Sequence, residues 1–256
     1  MSRPPVFDAH LHIIDPRFPL VANQGYLPPA FTCADYRVQT EPLGVAGGAV
    51  VSGSFQGFDQ GYLLDALRQL GSGYVGVTQL PESVTDAEIL ALDRAGVRAV
   101  RFNVRRGGSA DLQDLERLAA RVHALAGWHI ELYIDSVDLA GLDARLRRLP
   151  ALSIDHLGLS RAGFPALLRL VEHGARVKAT GFGRVDLDVR QALREIAAIN
   201  PDALLFGTDL PSTRAPRPFS SADLGLVQET LGEPLARRVL FENALAFYRP
   251  RVLPSA

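Results

Sequence analysis

The chain has 256 residues, a formal net charge of -1 and 47% hydrophobic residues. That length can form one large domain, and we predict a single domain over 1–256. The near-neutral charge argues against nucleic acid or a membrane surface as partner. Cys33 is the one cysteine, which excludes an internal disulfide, and no apolar run reaches transmembrane length. Since no signal peptide precedes the opening RPPVFDAH, we expect a cytoplasmic protein.

Short β-like runs alternate with helix-like segments along the chain. Apolar patterning and flanking turn residues predict strands at 6–12, 48–52, 74–79, 97–104, 129–135, 152–156, 176–180 and 204–209. Helical periodicity with cap and stop residues predicts helices at 59–70, 111–127, 136–150, 162–173, 188–199 and 221–232. The first crossover, 13–47, is rich in Pro and Gly and is predicted to be mostly loop.

Eight strand–helix units in about 250 residues predict an α/β protein of the (β/α)8 TIM-barrel type. The segment 233–249 is predicted to be an extra C-terminal helix. A doubly wound open sheet is the alternative fold. That fold often carries a Gly-rich phosphate turn after its first strand, where this chain has a histidine pair and a long loop.

Polar side chains recur where the predicted strands end. His10 and His12 lie two residues apart on the first strand, so they are expected to point the same way, together with Asp8. Active sites of TIM barrels lie at the carboxyl ends of the strands. The later strand ends contribute Arg101, Arg105, Arg106, Tyr133, Asp135, His156, Arg184 and Asp209.

Three histidines and a carboxylate are therefore predicted to meet at one mouth, with several arginines around them. Each residue type also has a structural interpretation: an aspartate can cap the next helix, and an arginine can pair with a carboxylate in the protein. The convergence of complementary groups from separate strands favours the functional interpretation. His123, His129 and His173 are predicted to be surface or helix-end residues.

The segments FDAHLHIIDP, IDHLG and LFGTDLP resemble the amidohydrolase superfamily. Within it, AVRFNVRRGG, GWHIELYIDSVDLAGL and VKATGFGRV are similar to the family of 2-pyrone-4,6-dicarboxylate lactonases, and the resemblance covers nearly the whole chain. It implies a core set of His10, His12, His156 and Asp209. It also implies substrate contacts from Tyr26, Ser54, Arg101, Tyr133, Arg184 and either Arg105 or Arg106, of which Arg106 is the closer match.

The resemblance implies a hydrolase that opens a small anionic lactone. Asp209 would activate water, the histidines would polarise the carbonyl, and the arginines would hold carboxylates. A zinc-dependent sugar-acid lactonase or decarboxylase on the same scaffold is one alternative. A non-catalytic protein that binds small anions is the other. The sequence leaves the oligomeric state open between monomer and dimer.

Three imidazoles and a carboxylate suit a single Zn²⁺, with His10, His12, His156 and Asp209 as ligands. The binuclear sites of the superfamily need a bridging modified lysine or a glutamate at strand four or five. The only lysine, Lys178, lies on strand seven. The resemblance to the dicarboxylate lactonases implies a site that works without a bound metal, so we expect that no cofactor is required and keep one Zn²⁺ as the alternative.

Overall fold

The computed structural model describes residues 5–251, which form a barrel of eight parallel strands. Each strand pairs with the next along the chain. The carboxyl ends of the first and last strands are joined by backbone bonds, from His12 N to Leu210 O (2.8 Å) and from Asp209 N to His10 O (2.7 Å). The strands are β1 (Val6–Leu11), β2 (Val45–Val51), β3 (Tyr74–Thr78), β4 (Val97–Phe102), β5 (His129–Leu132), β6 (Leu152–Ile154), β7 (Arg176–Ala179) and β8 (Leu204–Phe206). The predicted TIM barrel is confirmed.

Helices alternate with the strands and cover the outside of the barrel. They are α1 (Cys33–Thr40), α2 (Gly61–Leu70), α3 (Asp86–Ala95), α4 (Leu115–Ala126), α5 (Asp143–Leu146), α6 (Phe164–Glu172), α7 (Val189–Ile199) and α8 (Ser221–Leu231). The extra C-terminal helix is also confirmed. It consists of α9 (Glu233–Arg237) and α10 (Asn243–Tyr248), joined by one wider π-helical stretch, Arg238–Glu242. No helix in the described part of the chain is long and apolar enough to cross a membrane.

The structure differs from the sequence prediction in three connections. The first crossover contains α1, which begins at a capping box formed by Thr32 and Asp35. A similar box, Thr85 with Glu88, begins α3, which periodicity alone did not indicate. The predicted helix at 136–150 is instead a 3-10 stretch, Ser136–Gly141, followed by the single turn of α5. Short helices are set by their caps and tertiary packing more than by apolar period.

The base of the barrel is closed by the C-terminal helix. The Tyr248 hydroxyl donates to Glu131 Oε1 (2.5 Å) and lies 3.3 Å from the Ala9 carbonyl oxygen. His129 packs against Phe247, with ring centroids 4.0 Å apart, and is only 2% exposed. The prediction that His129 is a surface or helix-end residue is therefore wrong, because α10 covers the strand's start. His123, on α4, and His173, at the end of α6, are exposed, as predicted.

A bulge in β1 separates Asp8 from the histidines. Asp8 pairs with Gly48 and Leu11 with Val50, so β1 carries one extra residue over this stretch. A bulge changes the alternation of side chains. The Asp8 carboxylate accepts bonds from Thr208 N (2.8 Å) and from the Tyr36 hydroxyl of α1 (3.0 Å). The expectation that Asp8 points with His10 and His12 is therefore wrong.

Candidate active site

A pocket of about 410 Å³, counting the part open to solvent, lies at the carboxyl ends of the strands. Most residues singled out from the sequence line it: His12, Tyr26, Ser54, Arg101, Arg106, Tyr133, His156, Arg184 and Asp209. His10 lies beside the pocket, with its ring 5.0 Å from that of His12 and 4.8 Å from that of His156. Arg105 is exposed, and its guanidinium lies 4.0 Å from Asp135. Of the two neighbouring arginines, only Arg106 lines the pocket.

One carboxylate oxygen faces all three imidazoles. Asp209 Oδ1 lies 3.8 Å from His10 Nε2, 3.8 Å from His12 Nε2 and 4.0 Å from His156 Nε2. All four residues are buried. Among the described residues, His10 Nε2 and Asp209 Oδ1 have no hydrogen-bond partner. Unpaired buried polar atoms are costly, so their meeting at one point indicates a place for a ligand, water or ion.

The backbone at two of these residues is strained. His156 and Asp209 have φ values of 51° and 61°, a region that non-glycine residues seldom adopt. Such strain costs about 1–3 kcal/mol and concentrates at functional sites. Gly207 lies two residues before Asp209. A side chain at this position would clash with β1, because a Cβ there would lie 2.7 Å from His10 N. The turn after β8 can therefore bring Asp209 against the end of β1.

The hydrogen bond of His12 fixes its tautomer. Its Nδ1 lies 2.7 Å from the Val51 carbonyl oxygen, which can only accept. Nδ1 therefore carries a proton. Burial, and next the neighbouring His10, holds the pKa of His12 well below its usual value, so the ring is neutral near pH 7. The lone pair of His12 Nε2 is then directed towards Asp209 Oδ1.

His10 has the opposite arrangement. Its Nδ1 lies 3.2 Å from the Lys178 ammonium, a group that can only donate, and 3.4 Å from Asp155 Oδ1, which has no hydrogen-bond partner among the described residues. His10 Nδ1 therefore accepts, and the proton of the neutral ring lies on Nε2, which faces Asp209. Burial, followed by the charge of Lys178, lowers the pKa of His10. The two histidines of the H-x-H pair thus offer the pocket one acceptor and one donor.

The pKa of His156 is also well below its usual value, because of burial first and the charge of Arg184 second. Its ring packs edge-on against Tyr133, with centroids 5.1 Å apart. At neutral pH all three imidazoles are therefore uncharged.

Two of the pocket arginines are paired with carboxylates of the chain. Arg101 donates from Nε (3.1 Å) and Nη2 (2.8 Å) to Asp155 Oδ2. Arg184 donates from Nε (3.0 Å) and Nη2 to Asp209 Oδ2. In each pair two guanidinium nitrogens donate to the same carboxylate oxygen, in a charge-assisted fork. Arg184 therefore holds one oxygen of Asp209 and leaves the other to the histidines.

Comparison with known proteins agrees with this geometry. A family model described as amidohydrolase matches residues 7–249. The chain belongs to the amidohydrolase family. It is 28% identical over 276 aligned positions to a 2-pyrone-4,6-dicarboxylate hydrolase of Comamonas testosteroni, an alignment covering 95% of this chain and 90% of that protein. It is 26% identical to a 4-sulfomuconolactone hydrolase of Hydrogenophaga intermedia, over 94% of this chain and 87% of that protein.

A solved structure shows the same relationship. A crystal structure from Pseudomonas putida, named for 2-pyrone-4,6-dicarboxylic acid hydrolase, superposes on this amidohydrolase with a TM-score of 0.81. The two chains are 26% identical, and the match covers 97% of this chain and 98% of the other. The resemblance inferred from the strand-end motifs is confirmed.

The amidohydrolase site contains two sets of ligand atoms close enough to hold a metal ion: His10, His12 and Asp209, and His10, Asp155 and His156. The lone pair of His12 Nε2 and the open Oδ1 of Asp209 are suitable donors, and with the proton of His10 moved off Nε2 the first set fits a single divalent cation. The charges around it are already balanced. Three carboxylates at or beneath the site each form an ion pair with a basic side chain: Asp155 with Arg101, Asp209 with Arg184 and Glu131 with Lys178.

Four polar residues at or beneath the site were missed from the sequence: Glu131, Asp155, Lys178 as a partner of His10, and Arg214. Glu131 lies on β5, and Lys178, on β7, bonds to its Oε2 at 2.5 Å. Both are charged residues inside predicted strands of a parallel sheet, where apolar residues are expected, and this pattern could have identified them from the sequence. In the structure both are fully buried. Arg214 lies in the irregular loop after β8, where no periodicity applies.

Proposed function

We propose that this amidohydrolase opens a small anionic lactone, of the 2-pyrone-4,6-dicarboxylate type, by general-base hydrolysis. The observation that carries the proposal is the position of Asp209 Oδ1, 3.8–4.0 Å from three imidazole Nε2 atoms. The relatives named for lactone hydrolysis support the substrate class. Arginines in the pocket support an anionic substrate.

Asp209 and His12 would position the attacking water. Both Asp209 Oδ1 and His12 Nε2 are acceptors, and a water between them can donate one hydrogen to each. Proton transfer to Asp209 as the water attacks would form the tetrahedral intermediate. The lactone carbon–oxygen bond then breaks, and the protonated Asp209 returns its proton to the leaving ring oxygen. The products are the ring-opened acid and regenerated carboxylate.

His10 would stabilise the oxyanion. Its Nε2–H faces the pocket. Nε2 lies 3.8 Å from Asp209 Oδ1, which is too far for a hydrogen bond between them. It is therefore available to the lactone carbonyl oxygen. An oxyanion donor contributes about 3 kcal/mol to the transition state. Lys178 acts through His10, because its hydrogen bond to Nδ1 favours the neutral tautomer that carries the proton on Nε2.

We propose further that this reaction needs no bound metal. The charge pairs at the site support this, because a divalent cation would add uncompensated positive charge beside Arg184 and Lys178. His10, His12, His156 and Asp209 would hold a Zn²⁺ in the alternative mechanism. When bound, it would polarise the carbonyl as a Lewis acid.

The test is a hydrolysis assay on 2-pyrone-4,6-dicarboxylate with the wild type and Asp209→Asn. We expect kcat to fall about a hundredfold to ten-thousandfold in the variant, because the amide cannot take the proton. Wild-type activity retained after dialysis against a chelator supports the metal-free mechanism. Activity that disappears and returns with Zn²⁺ would establish the zinc alternative.

The other candidate functions give different results in the same assay. A sugar-acid lactonase would turn over a neutral sugar lactone better than the dicarboxylate. A decarboxylase would release CO₂ from the dicarboxylate. A binding protein would retain anion affinity with no turnover in the wild type. We continue to predict that the substrate is a small anion, that the protein does not bind nucleic acid and that it is cytoplasmic. The oligomeric state stays open between monomer and dimer.

A further inference from the structure

The four arginines that line the pocket fall into two classes. Arg101 and Arg184 are neutralised by Asp155 and Asp209, as described above. Arg106 and Arg214 also line the pocket. In the described part of the chain neither of these two has a carboxylate partner. The pocket therefore contains two uncompensated guanidinium groups.

Neutral groups hold Arg214 in place. Its guanidinium carbon lies 4.4 Å from the centre of the Tyr26 ring, and its Nη1 lies 3.4 Å from Asn23 Oδ1. Its Nη2 also donates to the Asn23 carbonyl oxygen. These contacts orient the cation without cancelling its charge.

The same loop holds Arg106. The Asn23 side chain donates to the Arg106 carbonyl oxygen at 3.1 Å, and Arg106 Nη1 lies 3.5 Å from Gln24 Oε1. Arg106 is thus tied through Asn23 to Arg214. Burial, and then the charge of Arg106, lowers the pKa of Arg214, so the two cations are close enough to repel one another. Both side chains are only partly buried, whereas His12, His156 and Asp209 are buried.

We propose that Arg106 and Arg214 form an anion-binding subsite at the rim of the pocket, which binds a carboxylate or sulfonate remote from the scissile bond. An anion there would relieve the repulsion between the two cations and accept hydrogen bonds from both. Arg214 is thereby a specificity-determining residue that selects lactones with a second anionic group. This inference rests on the proposed function for the identity of the substrate, but the subsite can be tested without turnover.

The experiment measures binding of two stable aromatic acids by calorimetry, benzene-1,3-dicarboxylate and benzoate. Wild type, Arg214→Met and the matched control Arg105→Met are compared, since Arg105 is an exposed neighbour of the subsite that does not line the pocket. We expect Arg214→Met to weaken dicarboxylate binding about tenfold to hundredfold and to leave benzoate within about twofold. Arg105→Met should match the wild type. Arg214→Lys, which keeps the charge and loses the fork, should fall between.

Equal losses for both acids in Arg214→Met, or equal losses in Arg105→Met, would overturn the subsite. Unfolding temperatures of all variants identify a loss of fold, and Arg106→Met supplies the second test if Arg214→Met is unstable. If the binding selectivity is found and no lactone is hydrolysed, the subsite stands and the proposed lactonase function fails. If lactones are hydrolysed without this selectivity, the function stands and the subsite fails.

Discussion

Arg184 determines which oxygen of Asp209 faces the histidines. Its Nε lies 3.0 Å from Asp209 Oδ2, and Nη2 binds the same oxygen. We expect Arg184→Met to lower kcat at least tenfold, because the carboxylate loses the fork that orients it, with a smaller rise in KM. Steady-state kinetics on the dicarboxylate lactone measure both constants. Arg184→Lys should restore part of kcat; a variant that changes KM alone would show that Arg184 binds substrate directly.

At the scale of elements, the turn after β7 depends on one glycine. Gly181 has a φ of +63°, and a Cβ there would lie 2.6 Å from His156 Nδ1 and 3.0 Å from Arg184 Cδ. Gly181→Ala should therefore displace both side chains and lower kcat about tenfold or more, while adding backbone strain of about 1 kcal/mol. Activity and urea unfolding are to be measured together. Gly174→Ala is the matched control, since Gly174 also has a positive φ but a Cβ there would meet no atom within 4 Å. Equal effects on activity in the two variants would show that backbone strain alone is responsible.

The whole molecule contains a buried ion pair beneath the site. Lys178 and Glu131 are fully buried, and Tyr248 from the C-terminal helix also bonds to Glu131. Removing one partner of such a pair costs about 3–5 kcal/mol, because the other charge stays buried alone. We expect that loss of unfolding free energy for Lys178→Met. The double variant Lys178→Met/Glu131→Gln should lose less than the single variant, and additive costs in urea unfolding would contradict the pairing.

The same pair makes a prediction for pH. Burial alone would raise the pKa of Glu131, but Lys178 and His129 outweigh it and bring that pKa to about 2. The folded value is below the unfolded one, so Glu131 stabilises the protein above about pH 4.5. That contribution should be lost as the pH falls from about 4.5 towards 2. Unfolding curves across this range should show a smaller pH dependence in the double variant than in the wild type.

The sequence by itself determined the architecture and the position of the core of the site. Alternating strands and helices indicate a parallel barrel, and the carboxyl ends of parallel strands meet at one mouth. The strand-end positions of His10, His12, His156 and Asp209 were therefore enough to predict that they converge, and the distances now place them together. Helices that depend on caps, such as α1 and α3, were not predicted, because their apolar period is weak.

Only the tertiary structure decided how the charges are paired. Nothing in the sequence indicates that Arg184 binds Asp209, that Lys178 contacts His10, or that Arg214 lies against Tyr26. These contacts join residues far apart in the chain, and they depend on loop paths and on the bulge in β1, which follow no periodic pattern. Residue type and strand position specify which chemical groups reach the mouth. The folded geometry then determines which of them are neutralised within the chain and which remain available for a substrate.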